Sequence, residues 1–380
     1  MIKTYCFKLY NSKRNKHLIN QIELAAEIYN HCIALHKKYY KFYGVHLSAY
    51  KLKIHLTKLK KLKKYSRWND LNSQAIQDIA ERVDRAYQLF FNNLKRKIRC
   101  APPSFKKRRK YKSFTLKQTG YKLLDGNKIQ IGKKQYKFFK SRDIVGKIKT
   151  VTIKRNTLGD VYIYIVCELD NSATLIKPGT GKSVGFDFGL KKYLVASDDN
   201  DIESPLFFKQ HQATIKRLNR SLSRKKKVSN NRRKAKEKLT RQHLKISRQR
   251  KDFQFKLANH LCLEYDIICL EDLNIKAMQR MWGKKVSDLS HSSFVNILKQ
   301  QAIKYDTTVV EIPRFYPSSK TCHKCTHKLD ELPLEVRSWV CPNCGTMHDR
   351  DKNAAINIHR VGTSTLAGVS VSPVSAGFSR

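Results

Sequence analysis

Acid is scarce in this sequence relative to base. Its 380 residues hold 30 Asp plus Glu against 78 Lys plus Arg, a formal net charge of +48. So much uncompensated positive charge repels itself unless a polyanion neutralises it, and nucleic acid fits better than an anionic membrane surface. Long apolar runs are also missing. No stretch approaches the roughly 18 residues of a spanning helix, and Met1 to Lys13 has no signal-peptide core, so neither a membrane span nor secretion is expected. No repeat of solenoid type occurs. Wholesale disorder is excluded as well, because 41% of residues are hydrophobic and 17 Phe and 18 Tyr can fill cores. At roughly 150 residues per domain, the length suits two or three domains. The ten cysteines are expected in a reducing cytosol, where close Cys pairs mean metal more often than disulfide.

Periodicity organises the chain. Tyr5, Phe7 and Leu9 share one face of an opening strand. From about Lys16 the spacing of Leu18, Ile22, Ala25, Ile28, Tyr29, Cys32, Ile33 and His36 is helical, with Gly44 as a stop. A second helix follows from about Asp70, striped by Ile76, Ile79, Ala80, Val83, Tyr87, Phe90 and Phe91, and the lysine-rich stretch Lys51 to Lys64 between them can form another. Pro102-Pro103 breaks the helical pattern, and a β region follows with a turn signal at Asp125-Gly126 and alternation through Val161, Ile163, Ile165 and Cys167. This reads as a small β-barrel whose first strand is split from the rest by a helical insertion. After a linker at Pro178, Gly179 and Gly181 the pattern becomes α/β: Val184 to Leu190 and Tyr193 to Ser197 as a hairpin, Asp266 to Leu270 and Thr308 to Ile312 as short buried strands. The stretch Gly362 to Arg380, rich in Ser, Gly and Val without a period, is expected to be disordered.

Two motifs carry metal chemistry. Cys322-x2-Cys325 and Cys341-x2-Cys344 are separated by fifteen residues, the spacing of a four-thiolate zinc ribbon holding one structural Zn²⁺. His323, His327 and His348 are competing donors, although four thiolates saturate the ion. The other six cysteines (Cys6, Cys32, Cys100, Cys167, Cys262, Cys269) read as core residues. Separately, Asp187 lies between Phe186 and Phe188, Glu271 ends the strand IICLE, and Asp351 opens the helical stretch DKNAAINIH. Carboxylates in such places are costly unless paired or bound to metal. Converging at strand ends and a helix start, they suit Mg²⁺, two ions of which would clamp the attacking and leaving oxygens of a phosphodiester. The plain alternative is that an acid at a helix start is only a cap.

The charge is also localised. Between Lys216 and Lys251 there are seventeen Lys or Arg and one acid, Glu237, with Leu218, Leu222, Leu239 and Leu244 as helix formers. We expect a helix pair gripping phosphates through Arg224, Lys225, Lys226, Arg232 and Arg233. Lys106, Lys107, Arg108 and Arg109, beside Phe105 and Tyr111, combine cations with rings that could stack on RNA or belong to the barrel. Gln74 and Gln77 are candidate base readers on the second helix.

The segments VGFDFGLKKYLVASD, ICLEDLNIKAM and FYPSSKTCHKC…WVCPNCGTMHDRDKNAAINI resemble the TnpB family, transposon-encoded relatives of the type V CRISPR effector nucleases; SQAIQDIAERVDRAYQLFF and PPSFKKRRKYKSFT extend the likeness weakly into the first half. The resemblance implies a multidomain α+β chain: a wedge-type β-barrel (1–12 and 104–178) interrupted by a helical recognition lobe (13–103), then a RuvC-like, RNase H-fold nuclease domain (179–361) with a zinc ribbon at about 316–348. By motif position it implies Asp187, Glu271 and Asp351 as catalytic residues, with Mg²⁺ or Mn²⁺ as cofactor. It further implies a guide RNA from the transposon end and target double-stranded DNA, cut beside a short adjacent motif in a prokaryotic, nucleoid-associated setting. A guided repressor that binds without cutting and a conventional transposase are the alternatives; the presence of all three acids argues for cutting. One departure is visible: Thr326 stands in the first knuckle where relatives commonly have Gly.

Overall fold

The computed structural model describes residues 2–169, 177–189, 191–273, 278, 280, 283 and 286–368. They form two compact units, residues 1–171 and 172–380.

In the first unit, β1 (Ile2–Lys8) is followed by α1 (Asn15–Tyr43), α2 (Ala49–Leu59), a 3-10 segment (Lys63–Asp70) and α3 (Ser73–Lys95), and only then by β2 (Ser113–Leu116), β3 (Tyr121–Leu124), β4 (Lys128–Ile131), β5 (Lys134–Lys137), β6 (Lys147–Arg155) and β7 (Val161–Glu168). The opening strand pairs antiparallel with β7, across the whole helical insertion, giving a sheet of order β1-β7-β6-β2. The remaining strands make a three-stranded sheet, β3-β4-β5, bridged to the first at Leu9 and Phe138. Alternation puts Tyr5, Phe7, Leu9, Ile163 and Ile165 inside, and they share one apolar cluster with Ile22, Ile28, Ile79 and Val83 of the helices. The helical insertion and the sheets therefore build one core rather than two. Gly44 ends α1 in the left-handed conformation, its N–H on the Tyr40 carbonyl. Arg82 of α3 ties to β2 through the Ser113 carbonyl (3.0 Å) and the Thr115 hydroxyl (2.6 Å).

The second unit is a mixed five-stranded sheet flanked by helices. Its strands β8 (Ser183–Asp187), β9 (Lys192–Ala196), β10 (Ile202–Glu203), β11 (Ile267–Glu271) and β12 (Thr308–Ile312) lie in the order β10-β9-β8-β11-β12. β8 and β9 are antiparallel; β11 runs parallel to both β8 and β12. Between β10 and β11 come α4 (Phe207–Gln210), α5 (Gln212–Ser223) and the long α6 (Asn230–Glu264); α7 (His291–Tyr305) precedes β12. Val184, Phe186, Ile268 and Leu270 pack against the last turns of α6 and against α7. The opposite face receives α8 (Arg350–Leu366), reached through a small hairpin of β13 (Ser338–Val340) and β14 (Met347–Asp349).

Two expectations need correction, and one open reading divides between its two residues. Helix α8 continues to Leu366, so the ordered part does not stop at 361: Gly362 is packed against Cys269, and residues 369–380 of the expected disordered stretch lie outside the described ones. Cys6 is exposed and Cys100 only half-buried, since Cys6 falls on the outer face of β1, opposite Tyr5 and Phe7. Tyr111 is a core residue packed on Tyr29, whereas Phe105 stays 55% exposed with the Lys37 ammonium over its ring. No helix among the described residues is long and apolar enough to cross a membrane.

Candidate catalytic cleft and metal centre

Strand alternation assembles the cleft. Ser183, Gly185 and Asp187 share the face of β8 turned to α8, while Val184 and Phe186 point into the core on the other side. Along that face the Ser183 hydroxyl meets His359 Nε2 at 2.7 Å and Gly185 meets the backbone of Ala355 and His359. Asp187 comes next, toward the first turn of α8, where Asp351 lies. The parallel register pairs Leu270 with Phe186, so the following residue, Glu271, stands beside Asp187. Asp187, Glu271 and Asp351 line one cleft of about 270 Å³ with Tyr316, Ser318, Lys320 and Arg350.

The helix cap is a different acid. Asp349 accepts from the N–H groups of Asp351 (3.1 Å) and Lys352 (2.9 Å). That leaves the Asp351 carboxylate in the first turn, turned to the cleft, with Arg337 at 3.5 Å as its ion-pair partner. Arg350 is held by the carbonyls of Pro333 (2.6 Å) and Val336 (3.4 Å).

Electrostatically the two strand-end acids are under-compensated, although Lys320 and Arg350 line the same cleft. Burial, then the like charge of Asp351, pushes Asp187 up to about 7, against opposing pulls from the Phe188 N–H and Arg350. Glu271 is pushed up to about 7 by burial, then by Asp187 and Asp272. Neither forms an ion pair among the described residues, whereas neighbouring Asp272 has Arg314 at 2.7 Å. Converging hard oxygen donors, two of them buried without an ion pair, fit a divalent cation such as Mg²⁺.

The second donor set is soft. The sulfurs of Cys322, Cys325, Cys341 and Cys344 all lie within 4.8 Å of one another. Backbone N–H groups fold each knuckle, Thr326 onto the Cys322 carbonyl (3.0 Å) and Gly345 onto that of Cys341 (2.9 Å). The Thr346 hydroxyl and N–H lower the Cys344 thiol to about 6, and burial raises Cys322 to about 12. A tetrahedral four-thiolate ion such as Zn²⁺ fits this set. His348, buried with Nε2 3.1 Å from the Cys322 sulfur, supports the cluster from outside, and His323 bonds Asn353 instead.

The basic candidates separate by environment. The first half of α6 buries nothing before Ile246, and with α5 it forms an exposed hairpin. Arg224, Lys225, Lys226 and Arg233 are exposed there. Arg232 is spent locally, capping the end of α5 through the Leu222 and Lys225 carbonyls, both at 2.9 Å. In the first unit Lys107 and Arg109 are exposed, Arg108 pairs with Glu27 at 3.4 Å, and Lys106 is fixed through its backbone to Asn30 while its ammonium lies over the rings of Tyr29 and Tyr111. Gln77 is exposed on α3 and Gln74 partly so.

Comparison with known proteins agrees with this architecture. The family model described as a probable transposase, OrfB_IS605, matches residues 164–281, and a Cas12f1-like TNB domain matches 291–358. The fold has counterparts among solved structures. It is similar to the structure titled as a Cas12f1–sgRNA–target DNA complex (TM-score 0.59, 14% identity, 94% of this chain and 98% of that one) and to the mini-RNA-guided endonuclease Cas_phi3 (TM-score 0.53, 11% identity, 99% and 94%). In sequence, InsQ of Escherichia coli (strain K12), named as an RNA-guided DNA endonuclease, is 30% identical over 317 residues, 78% of this chain and 76% of its own. The chain belongs to the TnpB family of transposon-associated proteins. A Streptomyces pristinaespiralis protein also named as an RNA-guided DNA endonuclease is 34% identical over 220 residues, 57% of this chain and 54% of that one. A TnpB-like protein of Acanthamoeba polyphaga mimivirus is 28% identical over 238 residues, 58% and 45%. The chain thus spans about half the length of these last two relatives.

Proposed function

We propose that the protein is an RNA-guided DNA endonuclease that hydrolyses phosphodiester bonds with divalent-metal assistance. The second unit is then a RuvC-like nuclease domain with an inserted zinc ribbon, and the first a wedge-type barrel carrying a helical recognition insertion. The observation that supports this most is the meeting of Asp187, Glu271 and Asp351 in one cleft, the first two raised to about 7 by burial and by neighbouring carboxylates. Bound divalent ions would lower the charge on the scissile phosphate and activate water at neutral pH. The chain's part is positional. Asp187 and Glu271 hold two oxygen donors at fixed spacing on adjacent strands, and Asp351 adds a third from the helix start.

The exposed cations Arg224, Lys225, Lys226 and Arg233 on the α5–α6 hairpin suit phosphate backbones of target DNA, and Lys107, Arg109 and Phe105 suit a guide RNA made from the transposon end. Base pairing with that RNA would read most of the target, leaving side chains such as Gln74 and Gln77 a short adjacent motif. The guided repressor that binds without cutting is disfavoured by the intact carboxylate set. The test is an omission series on the purified ribonucleoprotein. Cleavage requires the copurified RNA, the complementary target with its adjacent motif, and Mg²⁺ or Mn²⁺; persistent target binding with no nicking under either ion would select the repressor.

A further inference from the structure

One aromatic ring is exposed far beyond its neighbours. Among the described residues Phe315 is 92% exposed, against 72% for the next ring, Tyr50. No ring or cation lies over it among the described residues. A single exposed apolar side chain is common; what sets this ring apart is its place on an ordered loop beside the cleft, with its face free to take a partner.

The loop that presents it is tied to the cleft at both ends. On one side Arg314 donates to the Asp272 carboxylate (2.7 Å) and carbonyl (3.2 Å), and Asp272 directly follows Glu271. On the other side Tyr316 lines the cleft and packs into the apolar cluster of Cys269, Ile312, Ile358 and Val361, its N–H closing a turn on the Pro313 carbonyl at 3.0 Å. Tyr316 therefore points in and Phe315 out, on a backbone pinned one residue from Glu271 and continuous with the cleft-lining run Pro317 to Lys320. Arg314 is held by Asp272 and so is not free to cover the neighbouring ring.

We propose that Phe315 stacks on an unpaired base of the DNA strand entering the nuclease cleft, fixing that strand's register against Asp187, Glu271 and Asp351. The proposal rests on the nuclease reading for the identity of the strand. A duplex hides its base faces, so the ring selects single-stranded DNA, and stacking is tolerant of sequence because every base has a π-face.

The experiment uses the ribonucleoprotein as purified with its RNA and a single-stranded deoxyoligonucleotide carrying one 2-aminopurine. Binding is first read without divalent metal, so that no cleavage is involved. The wild type quenches the probe. Phe315→Ala loses the quench and binds about 5- to 100-fold more weakly, and Phe315→Trp restores both. With Mg²⁺ added, the Ala variant's loss appears mainly in KM. An unchanged melting temperature, expected for so exposed a position, shows that folding is intact. Equal binding and KM for Phe315→Ala and wild type would overturn the stacking role, leaving the nuclease reading untouched. A Phe315-dependent quench in a protein that never cleaves would uphold stacking and sink the nuclease reading.

Discussion

Gly185 and Ala355 approach so closely that a Cβ on Gly185 would sit 2.4 Å from the Ala355 carbonyl oxygen and 2.4 Å from the His359 nitrogen. Both obstacles are backbone, so neither can rotate away. The absent side chain lets α8 lie down on β8, and that contact sets the distance between Asp187 at the strand's end and Asp351 at the helix's start. Gly185→Ala is expected to cost about 1–3 kcal/mol in stability by overpacking. Because the helix carries one carboxylate of the three, cleavage falls about 100-fold, more than the lost stability explains. Melting temperature and single-turnover cleavage on one preparation check this; a destabilised variant that still cuts at the wild-type rate would show that the contact does not set the site.

The raised carboxyls give a pH signature. Asp187 ordinarily titrates near 3.8 and in the folded protein near 7, and Glu271 moves from 4.5 to about 7. The folded state therefore binds more protons than the unfolded state between about pH 4 and 7. Stability of the metal-free protein falls as pH rises through that window and levels off above it. Metal competes with those protons, so the thermal shift given by Mg²⁺ grows from pH 6 to pH 8. Asp187→Asn removes the penalty. Without metal at pH 8 it melts a few degrees higher than the wild type and responds less to Mg²⁺, whereas a lower melting point would contradict the strained carboxylate.

Thr326 is left-handed, with φ +61°, at the knuckle position where the second knuckle has Gly345 at φ +69°. A β-branched residue pays about 1–2 kcal/mol there, partly returned by its hydroxyl's hydrogen bond to the Cys325 carbonyl at 2.7 Å. Thr326→Gly is expected to gain up to about 1 kcal/mol and to slow zinc loss to a chelator. Faster zinc loss would mean that the hydroxyl contact outweighs the backbone strain.

Converting a ligand works in the other direction. Cys341→Ser lowers bound zinc and melting temperature, because the ribbon's small apolar cluster of Cys322, Trp339 and Cys341 is built around the sulfurs. Unchanged zinc stoichiometry by metal analysis would refute the four-thiolate assignment.

Much of this was legible from residue order. Period-two alternation at Tyr5, Phe7 and Leu9 announced a strand separated from its partner, and β1 pairs with β7 over the whole helical insertion. The apolar neighbours of Asp187 and Glu271 announced strand-end acids. Other features depend on packing that no local pattern encodes. Gly362 looked like the start of a loose stretch, yet it is a close-contact residue against Cys269. Tyr111 and Phe105 are equivalent in sequence, but α1 buries Tyr111 against Tyr29 and reaches Phe105 only with the Lys37 ammonium. Arg232 read like any cation of its run, but the turn between α5 and α6 uses it as a cap. Phe315 could not be singled out within FYP, because only the fold turns Tyr316 inward and leaves Phe315 in water.

The central claim is that the carboxylate cleft cuts guided DNA, and Asp187→Ala tests it most directly. The variant is assayed as a ribonucleoprotein on a motif-bearing target matched to its copurified RNA, with Mg²⁺. The account predicts that RNA copurification and target binding stay at wild-type level while strand cleavage disappears. Cleavage at the wild-type rate would contradict it.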